Sequence, residues 1–229
     1  MRHTLSARSS LSKADQIYDL LRARLISGQY AFGEVLSTYG LAEELGVSRR
    51  PVMDAVIRLE SAGFILIIRQ VGCQVVVPDE RSVKEHFAVA GVLEGAGARL
   101  AASSASAADI DAVEAAHRRG QIAVEGRDVP GFAEANRLFH SAILAASANA
   151  RLSELAQQAW DLSDFYLRDR RSADLSKAHL EHTGILNALK GRDPESARRL
   201  MEEHMCRFSS EVRIATPDAN EELFPGIAG

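Results

Sequence analysis

The stretch from Leu41 to Glu60, LAEELGVSRRPVMDAVIRLE, decides the fold of the first third of the chain. Its apolar side chains recur at helical spacing on both sides of a glycine, as expected for the buried faces of two consecutive helices. These side chains are Leu41, Leu45, Val47, Val52, Val56 and Leu59. Because Gly46 permits a sharp turn between the two helices, the stretch predicts a helix-turn-helix.

The second predicted helix carries polar groups at its outward-facing N-terminus, namely Ser48, Arg49 and Arg50. A hydroxyl and two guanidinium groups can bind phosphates and base edges, and the helix dipole adds positive potential at this end. Arginine is also the side chain best suited to guanine O6 and N7. The pattern therefore favours binding of double-stranded DNA over an ordinary helical hairpin with solvated arginines.

A helix is predicted on the N-terminal side of this stretch. Ser12 to Asp15 has the S-x-x-D pattern of a capping box, and apolar residues with a period of 3.6 follow it as far as Leu25. Gly28 marks its expected end. Three helices in this order, two of them in a helix-turn-helix, are typical of small DNA-binding domains.

A β-hairpin is predicted on the C-terminal side, from two β-rich runs at 64–69 and 74–77. Arg69 and Gln70 lie at its tip and are expected to contact DNA as a wing. Residues 11–78 are therefore assigned to a winged helix-turn-helix domain.

The rest of the chain shows only helical patterns. Six stretches are separated by caps and short links, at about 80–103, 107–125, 130–147, 151–170, 174–190 and 194–214. Between the last two, Gly191 suits the left-handed position that ends a helix, Asp193 suits an N-cap and Pro194 a first helical position. The fold class is therefore mostly α: a winged helix-turn-helix followed by an all-α antiparallel helical bundle at 79–214. Residues 1–10 and 215–229 are expected to form a flexible arm and a flexible tail.

Charge and composition restrict the class of protein further. The formal net charge is −4, but residues 1–78 carry nine Lys and Arg against seven Asp and Glu, and residues 79–229 carry eighteen against twenty-four. The basic character thus lies where DNA binding is predicted.

No apolar run is long enough for a membrane span, and the start lacks the apolar segment of a signal peptide, so we expect a cytoplasmic protein without a membrane partner. Cys73 and Cys206 have no metal-ligand spacing, and both are expected to be reduced.

Four polar residues lie on otherwise apolar helix faces of the predicted bundle. Asn136 and His140 are four residues apart and share one face, while His182 and His204 lie on the last two helices. Facing helices can bring imidazoles to one ion, and neutral imidazole nitrogens suit divalent transition metals. The same residues could instead line a polar pocket for an organic ligand. His86, His117 and His179 are interpreted as surface or core residues, with His179, one turn from His182, as a possible outer contact of the cluster.

From Ser12 to Val77 the chain resembles the GntR family of regulators, whose recognition segment commonly has the sequence LGVSRTPVREAL. The resemblance implies that Arg49 is the first arginine of the recognition helix and that Gly72 is the wing glycine. The chain has Arg50 where threonine is usual and Met53 where a second arginine is usual. Methionine cannot donate a hydrogen bond to a base, so either Arg50 compensates or the operator sequence differs.

Residues 81–210 resemble the helical FCD-type effector domain of FadR-like GntR regulators. The motifs are N-R-L-F-H ending at His140, E-H-T-G-I-L-N-A beginning at Glu181, and the distant His204. The resemblance implies a divalent metal ion, zinc or nickel, bound by Asn136, His140, His182 and His204. The family usually has aspartate where this chain has Asn136, and often arginine where it has Ala90.

These features predict a homodimeric, ligand-responsive regulator, assigned as a repressor, that binds a short palindromic operator and is not an enzyme. The resemblance implies an effector that is a small carboxylate, such as an organic or sugar acid, bound through the metal. A metal-free sensor of acyl-CoA or another organic ligand is the alternative within the same class. A metal-dependent enzyme built on a helical bundle is the alternative of another class, although no nucleophile-base pattern or phosphate-binding loop supports it.

Overall fold

The computed structural model describes residues 12–69, 71–168, 174–210 and 212. The backbone contacts divide the chain into two compact units, with the boundary between Val77 and Pro78. The predicted arm at 1–10, the predicted tail at 215–229 and Gln70 lie outside the described residues.

In its described residues, the first unit combines three helices with a small sheet. Its elements are α1 (Lys13–Ile26), β1 (Val35–Leu36), α2 (Thr38–Glu44), α3 (Arg49–Ser61), β2 (Ile65–Ile68) and β3 (Gly72–Val75). Helices α2 and α3 form the predicted helix-turn-helix, and Gly46 in their turn has a φ of 62°, which glycine adopts without steric cost. The strands β2 and β3 form the hairpin of a winged helix.

Local sequence accounts for the placement of α1. Ser12 accepts a hydrogen bond from the backbone N–H of Asp15, whose carboxylate accepts in return from Ser12, so the predicted capping box is present. Leu21 and Leu25 are buried on the inner face of α1, which packs against α3. Burying an aliphatic side chain of this size stabilises a domain by roughly 1.5–3 kcal/mol.

The sheet contains a strand that the sequence analysis missed. Its order is β1-β3-β2, with both pairings antiparallel. The two residues of β1 are too few to show a strand pattern, and they are extended because β3 pairs with them. β3 also begins two residues earlier than predicted, at Gly72, which pairs with Ile68 to close the hairpin.

The second unit consists of helices in the part that the structure describes. They are α4 (Glu80–Ser104), α5 (Ala107–Gly126), α6 (Val129–Ala146), α7 (Ala150–Leu167), α8 (Leu175–Lys190) and α9 (Pro194–Phe208). The predicted helices agree with these bounds within one or two residues, except that α7 ends before 170 and α9 ends before 214.

The link between α8 and α9 differs from the prediction at one residue. Asp193 caps α9 and Pro194 opens it, as expected. Gly191 has a φ of −74°, however, and the left-handed conformation belongs to Arg192, with a φ of 54°. The guanidinium group of Arg192 donates to the carbonyl of Ala105 at 2.5 Å, at the end of α4. This long-range contact stabilises a conformation that arginine rarely adopts.

Helix α4 is the central helix of the second unit. It packs against α6, α7, α8 and α9, while α5 packs against α6 and α8. Glycine permits the close approach of α9, because a Cβ atom at Gly95 would lie 3.2 Å from the carbonyl oxygen of Arg198 and 2.7 Å from the Cγ of Glu202. The inner faces of α4, α6, α8 and α9 are thereby brought together. Among the described residues, no helix is long and apolar enough to cross a membrane.

Candidate functional site

The N-terminus of α3 presents the predicted DNA-binding residues to solvent. Ser48 is the N-cap residue, and Arg49 and Arg50 open the helix, all three with exposed side chains. The hydroxyl of Ser48 makes no capping hydrogen bond to α3, so it can still contact a phosphate. The three residues share the positive end of the helix dipole.

Arg49 is supported by an aromatic residue of α2 that the sequence analysis did not identify. Its Nη1 donates a hydrogen bond of 2.6 Å to the phenol oxygen of Tyr39, and its Cζ lies 4.0 Å from the centroid of that ring. Tyr39 itself is 67% exposed. An exposed tyrosine on the helix preceding the recognition helix was the available signal.

The wing places Arg69 in solvent directly after β2. Gly72 is required for a structural reason, because a Cβ atom there would lie 2.3 Å from the carbonyl oxygen of Leu36 in β1, and its φ is 147°. Any other residue would push β1 away from β3.

Three histidines from three helices converge inside the second unit. His140 of α6, His182 of α8 and His204 of α9 are 1%, 2% and 1% exposed. One ring nitrogen from each lies within 4.8 Å of the others. The Nε2 atoms of His182 and His204 are 3.2 Å apart. We call these three residues the histidine triad.

Two buried polar atoms of this region have no hydrogen-bond partner among the described residues. They are Nε2 of His140 and Oδ1 of Asn136, one turn earlier on α6. Buried polar atoms without a partner cost roughly 1–3 kcal/mol each and call for an explanation. Imidazole nitrogens and a neutral amide oxygen form a donor set that fits a divalent transition metal.

Buried or half-buried carboxylates orient two of the imidazoles. Glu94 of α4 contacts Nδ1 of His140 at 3.2 Å and accepts from the indole N–H of Trp160. Glu181 of α8 contacts Nδ1 of His204 at 2.7 Å and accepts from Arg207. A carboxylate at Nδ1 assigns the proton to that nitrogen and directs the Nε2 lone pair into the triad.

The imidazoles of His182 and His204 are neutral at neutral pH. Burial lowers the pKa of His182 well below its usual range, and the neighbouring His204 adds to the effect. Burial also lowers the pKa of His204 to about 4, against the opposing effect of Glu181. Neutral imidazole is the form that binds metal ions.

The remaining histidines of this unit lie outside the triad. His179 stacks on His117 with ring centroids 4.2 Å apart, and Nε2 of His117 lies 3.0 Å from Thr183. Nε2 of His86 lies 2.9 Å from the hydroxyl of Ser163. Glu94 and Glu181, rather than His179, provide the hydrogen bonds to His140 and His204. Glu94 could have been found as the one carboxylate on the apolar face of α4.

A cavity of about 450 Å³ adjoins the triad. Asn136 lines it, and so do Phe132, Trp160 and Phe208, whose rings also pack against the triad. A cavity of this size can enclose a small organic molecule. Ala90, at the position where the resemblance suggested arginine, is buried in the core at 2% exposure.

A winged helix-turn-helix with exposed arginines on its recognition helix, followed by a helical domain, defines a DNA-binding transcription regulator. The sequence matches the bacterial regulatory proteins of the gntR family over residues 13–75 and the FCD domain over residues 85–207. The second match alone spans more than half of the chain. The chain therefore belongs to the GntR-type transcription regulators that carry an FCD domain, and not to a family of enzymes.

Its curated relatives are transcription regulators. The chain is 27% identical to a probable D-xylose utilization operon transcriptional repressor of Paenarthrobacter nicotinovorans, covering 85% of this chain and 86% of the relative. It is 29% identical to the HTH-type transcriptional repressor RspR of Escherichia coli, covering 86% and 88%. The solved structure of Escherichia coli McbR/YncC superposes with a TM-score of 0.70 at 28% identity, covering 86% of this chain and 95% of that one.

Proposed function

We propose that this regulator is a homodimeric repressor whose helical domain binds a divalent metal ion, zinc or nickel, and through it a small organic or sugar acid. The observation that carries the proposal is the convergence of the three imidazoles of the histidine triad, beside a buried Oδ1 of Asn136 and Nε2 of His140 that have no hydrogen-bond partner among the described residues. A metal ion would occupy the donors that the fold leaves without hydrogen bonds.

The residues around the triad have complementary roles in this proposal. His140, His182, His204 and Asn136 would supply the ligand atoms. Glu94 and Glu181 fix two of the imidazole rings, and their negative charges offset the absence of a carboxylate at position 136. The bound metal would supply a Lewis-acidic centre for an oxygen atom of the effector.

The metal-free alternative, a sensor of acyl-CoA or another organic ligand, is supported less well. A polar lining for an organic ligand needs donors and acceptors that face the cavity, and of the triad with Asn136 only Asn136 lines it. The triad itself is almost fully buried. An ion fits among such enclosed atoms better than part of an organic molecule does.

Regulation would follow from differential binding. An effector that binds one arrangement of the two DNA-binding domains of a dimer more tightly shifts the population toward that arrangement. Two winged domains would contact the two halves of a short palindrome, with Arg49 and Arg50 in the major groove. Repression is favoured because two of the relatives are named as repressors.

The proposal is tested by thermal unfolding with and without a chelator. A metal that binds only the folded state stabilises it, so the chelator should lower the Tm of the wild type and added Zn²⁺ or Ni²⁺ should restore it. His140→Ala, His182→Ala and His204→Ala should each lose this response. His117→Ala, in the same unit but outside the triad, is the control and should keep it.

Asn136→Asp adds a further comparison. The variant restores the residue that is usual in the family, and its anionic carboxylate should slow the loss of metal to a chelator. A wild type whose Tm changes with neither chelator nor added metal would contradict the metal assignment, whereas the family assignment would stand.

A further inference from the structure

The cavity beside the triad has an apolar interior, which restricts the chemical class of its ligand. The wall is formed largely by Phe87, Phe132, Trp160, Leu175, Met205 and Phe208. All of them except Leu175 are buried side chains. A ligand that fills the cavity therefore exchanges water for aromatic and aliphatic contacts, which is favourable for an apolar body.

Three polar side chains of the wall, Arg137, Ser163 and Asp164, already have partners within the protein. Arg137 pairs with Asp164 and, at 3.5 Å, with Asp161. The hydroxyl of Ser163 contacts His86 at 2.9 Å and donates to the carbonyl of Ala159. A sugar acid carries several hydroxyl groups, and most of them would find no partner among these residues. Hydroxyl groups buried without partners reduce affinity strongly.

The charges of the described wall also balance. The lining contains two arginines, Arg137 and Arg168, and two carboxylates, Glu134 and Asp164. The guanidinium group of Arg168 lies over the ring of Phe165, with Cζ 4.7 Å from its centroid. A second carboxylate on the ligand would therefore meet no excess of positive charge. One carboxylate of the ligand can be directed at the triad, because Asn136 lies one turn before His140 on α6 and also lines the cavity.

We infer that the effector is a monocarboxylate with an apolar body, aromatic or branched, rather than a polyhydroxylated sugar acid or a dicarboxylate. The inference rests on the proposed function and narrows its class of effector. The carboxylate is bound at the Asn136 end of the cavity, and the body fills the space between Phe132, Trp160 and Phe208.

The test is calorimetric titration of the full-length, Zn²⁺-loaded protein with three probes that share a carboxylate head. The probes are 3-phenylpropionate, D-gluconate and glutarate. We expect 3-phenylpropionate to bind at least about tenfold more tightly than either other probe, because only its body matches the wall.

A matched pair of variants locates the binding. Val129 lines the cavity and is 56% exposed, whereas Ile122 lies on α5 outside it and is 69% exposed. Val129→Asn should lower the affinity for 3-phenylpropionate by about three- to tenfold, because an apolar contact is lost. Ile122→Asn should leave the affinity unchanged.

The possible outcomes separate this inference from the proposed function. Tighter binding of D-gluconate or glutarate would overturn the inference and leave a metal-dependent sensor in place. Binding of 3-phenylpropionate that is unaffected by chelator and by His182→Ala would support the class of ligand and overturn the role of the metal. No binding of 3-phenylpropionate at about 10 mM, a concentration that detects even millimolar affinity, would overturn the inference.

Discussion

The guanidinium group of Arg49 lies over the ring of Tyr39 and donates a hydrogen bond of 2.6 Å to its phenol oxygen. The first helix of the helix-turn-helix thus orients the leading arginine of the second. An arginine that is already oriented loses less conformational freedom when it binds a base. Tyr39 is therefore expected to act on DNA binding through Arg49.

Tyr39→Ala should lower operator affinity by about three- to tenfold, since it removes both a cation-π contact and a hydrogen bond at an exposed site. Tyr39→Phe keeps the ring and should cause a smaller loss of operator affinity. Arg49→Ala should cause the largest loss of operator-binding free energy, about 1–3 kcal/mol if the arginine contacts a guanine. Fluorescence anisotropy with operator DNA measures all three, and Arg22→Ala on α1 is the control. Tighter binding by Tyr39→Ala would show instead that Tyr39 competes with DNA for Arg49.

Arg50→Thr should change the preferred half-site more than the total affinity. Arg50 is exposed at the N-terminus of α3, where arginine can contact a base edge that threonine cannot reach in the same way. Selection of binding sites from random DNA with the wild type and the variant gives the two consensus sequences. Identical consensus sequences would remove Arg50 from the residues that determine specificity.

Local signals in the sequence predicted most helix boundaries. Ser12 with Asp15, and Asp193 with Pro194, form the predicted caps because capping depends on residues within one helical turn. Features that depend on distant residues were missed. Val35 and Leu36 form a strand only because β3 pairs with them, and Arg192 is left-handed where the sequence favoured Gly191, because it contacts the end of α4.

The candidate site was predictable for a similar reason and to a similar extent. Helical spacing placed Asn136 and His140 on one face, and the family resemblance connected them with His182 and His204. The helical pattern marks Glu94 as a carboxylate on an apolar face, but it does not indicate which imidazoles Glu94 and Glu181 orient, since each contact joins two different helices. The composition of the cavity wall likewise depends on how α4, α6, α7, α8 and α9 pack.

The stability of the second unit should fall as the pH is lowered from 7 to 5. Burial lowers the pKa of His86 from 6.5 to about 4, so in this range the unfolded chain binds a proton that the folded chain does not. This one residue should cost about 2 kcal/mol over the interval. Urea unfolding at the two pH values should show a smaller loss for His86→Gln, whose amide can still contact Ser163.

The sign of this effect provides the check. A histidine whose pKa is lowered in the folded state leaves stability intact at a pH above its pKa in the unfolded chain. As the pH falls below that pKa, the unfolded chain binds the proton first and the stability of the folded state decreases. His179→Gln is a comparison variant at a second histidine whose pKa is lowered by burial. An acid-induced loss of stability that is equal in wild type and His86→Gln would contradict the assignment to His86.

Glu181→Gln should weaken metal binding without abolishing it. Glu181 accepts from Nδ1 of His204 and from Arg207, and loss of an outer carboxylate of this kind typically costs about 10- to 100-fold in metal affinity. Competition with a chromophoric chelator measures the affinity. Glu203→Gln, an exposed residue of α9 paired with Arg199, is the control. Equal affinities for both variants would mean that Glu181 has no role at the metal.

The metal content of the purified protein tests the central claim most directly. Elemental analysis by mass spectrometry, after purification without chelators, should find about one zinc or nickel ion per chain in the wild type, as expected for a single site of four donors. His182→Ala should retain little metal, while His86→Gln should retain as much as the wild type. A wild type with a negligible content of every divalent transition metal, both as purified and after incubation with Zn²⁺ or Ni²⁺, would contradict the account of the triad as a metal site.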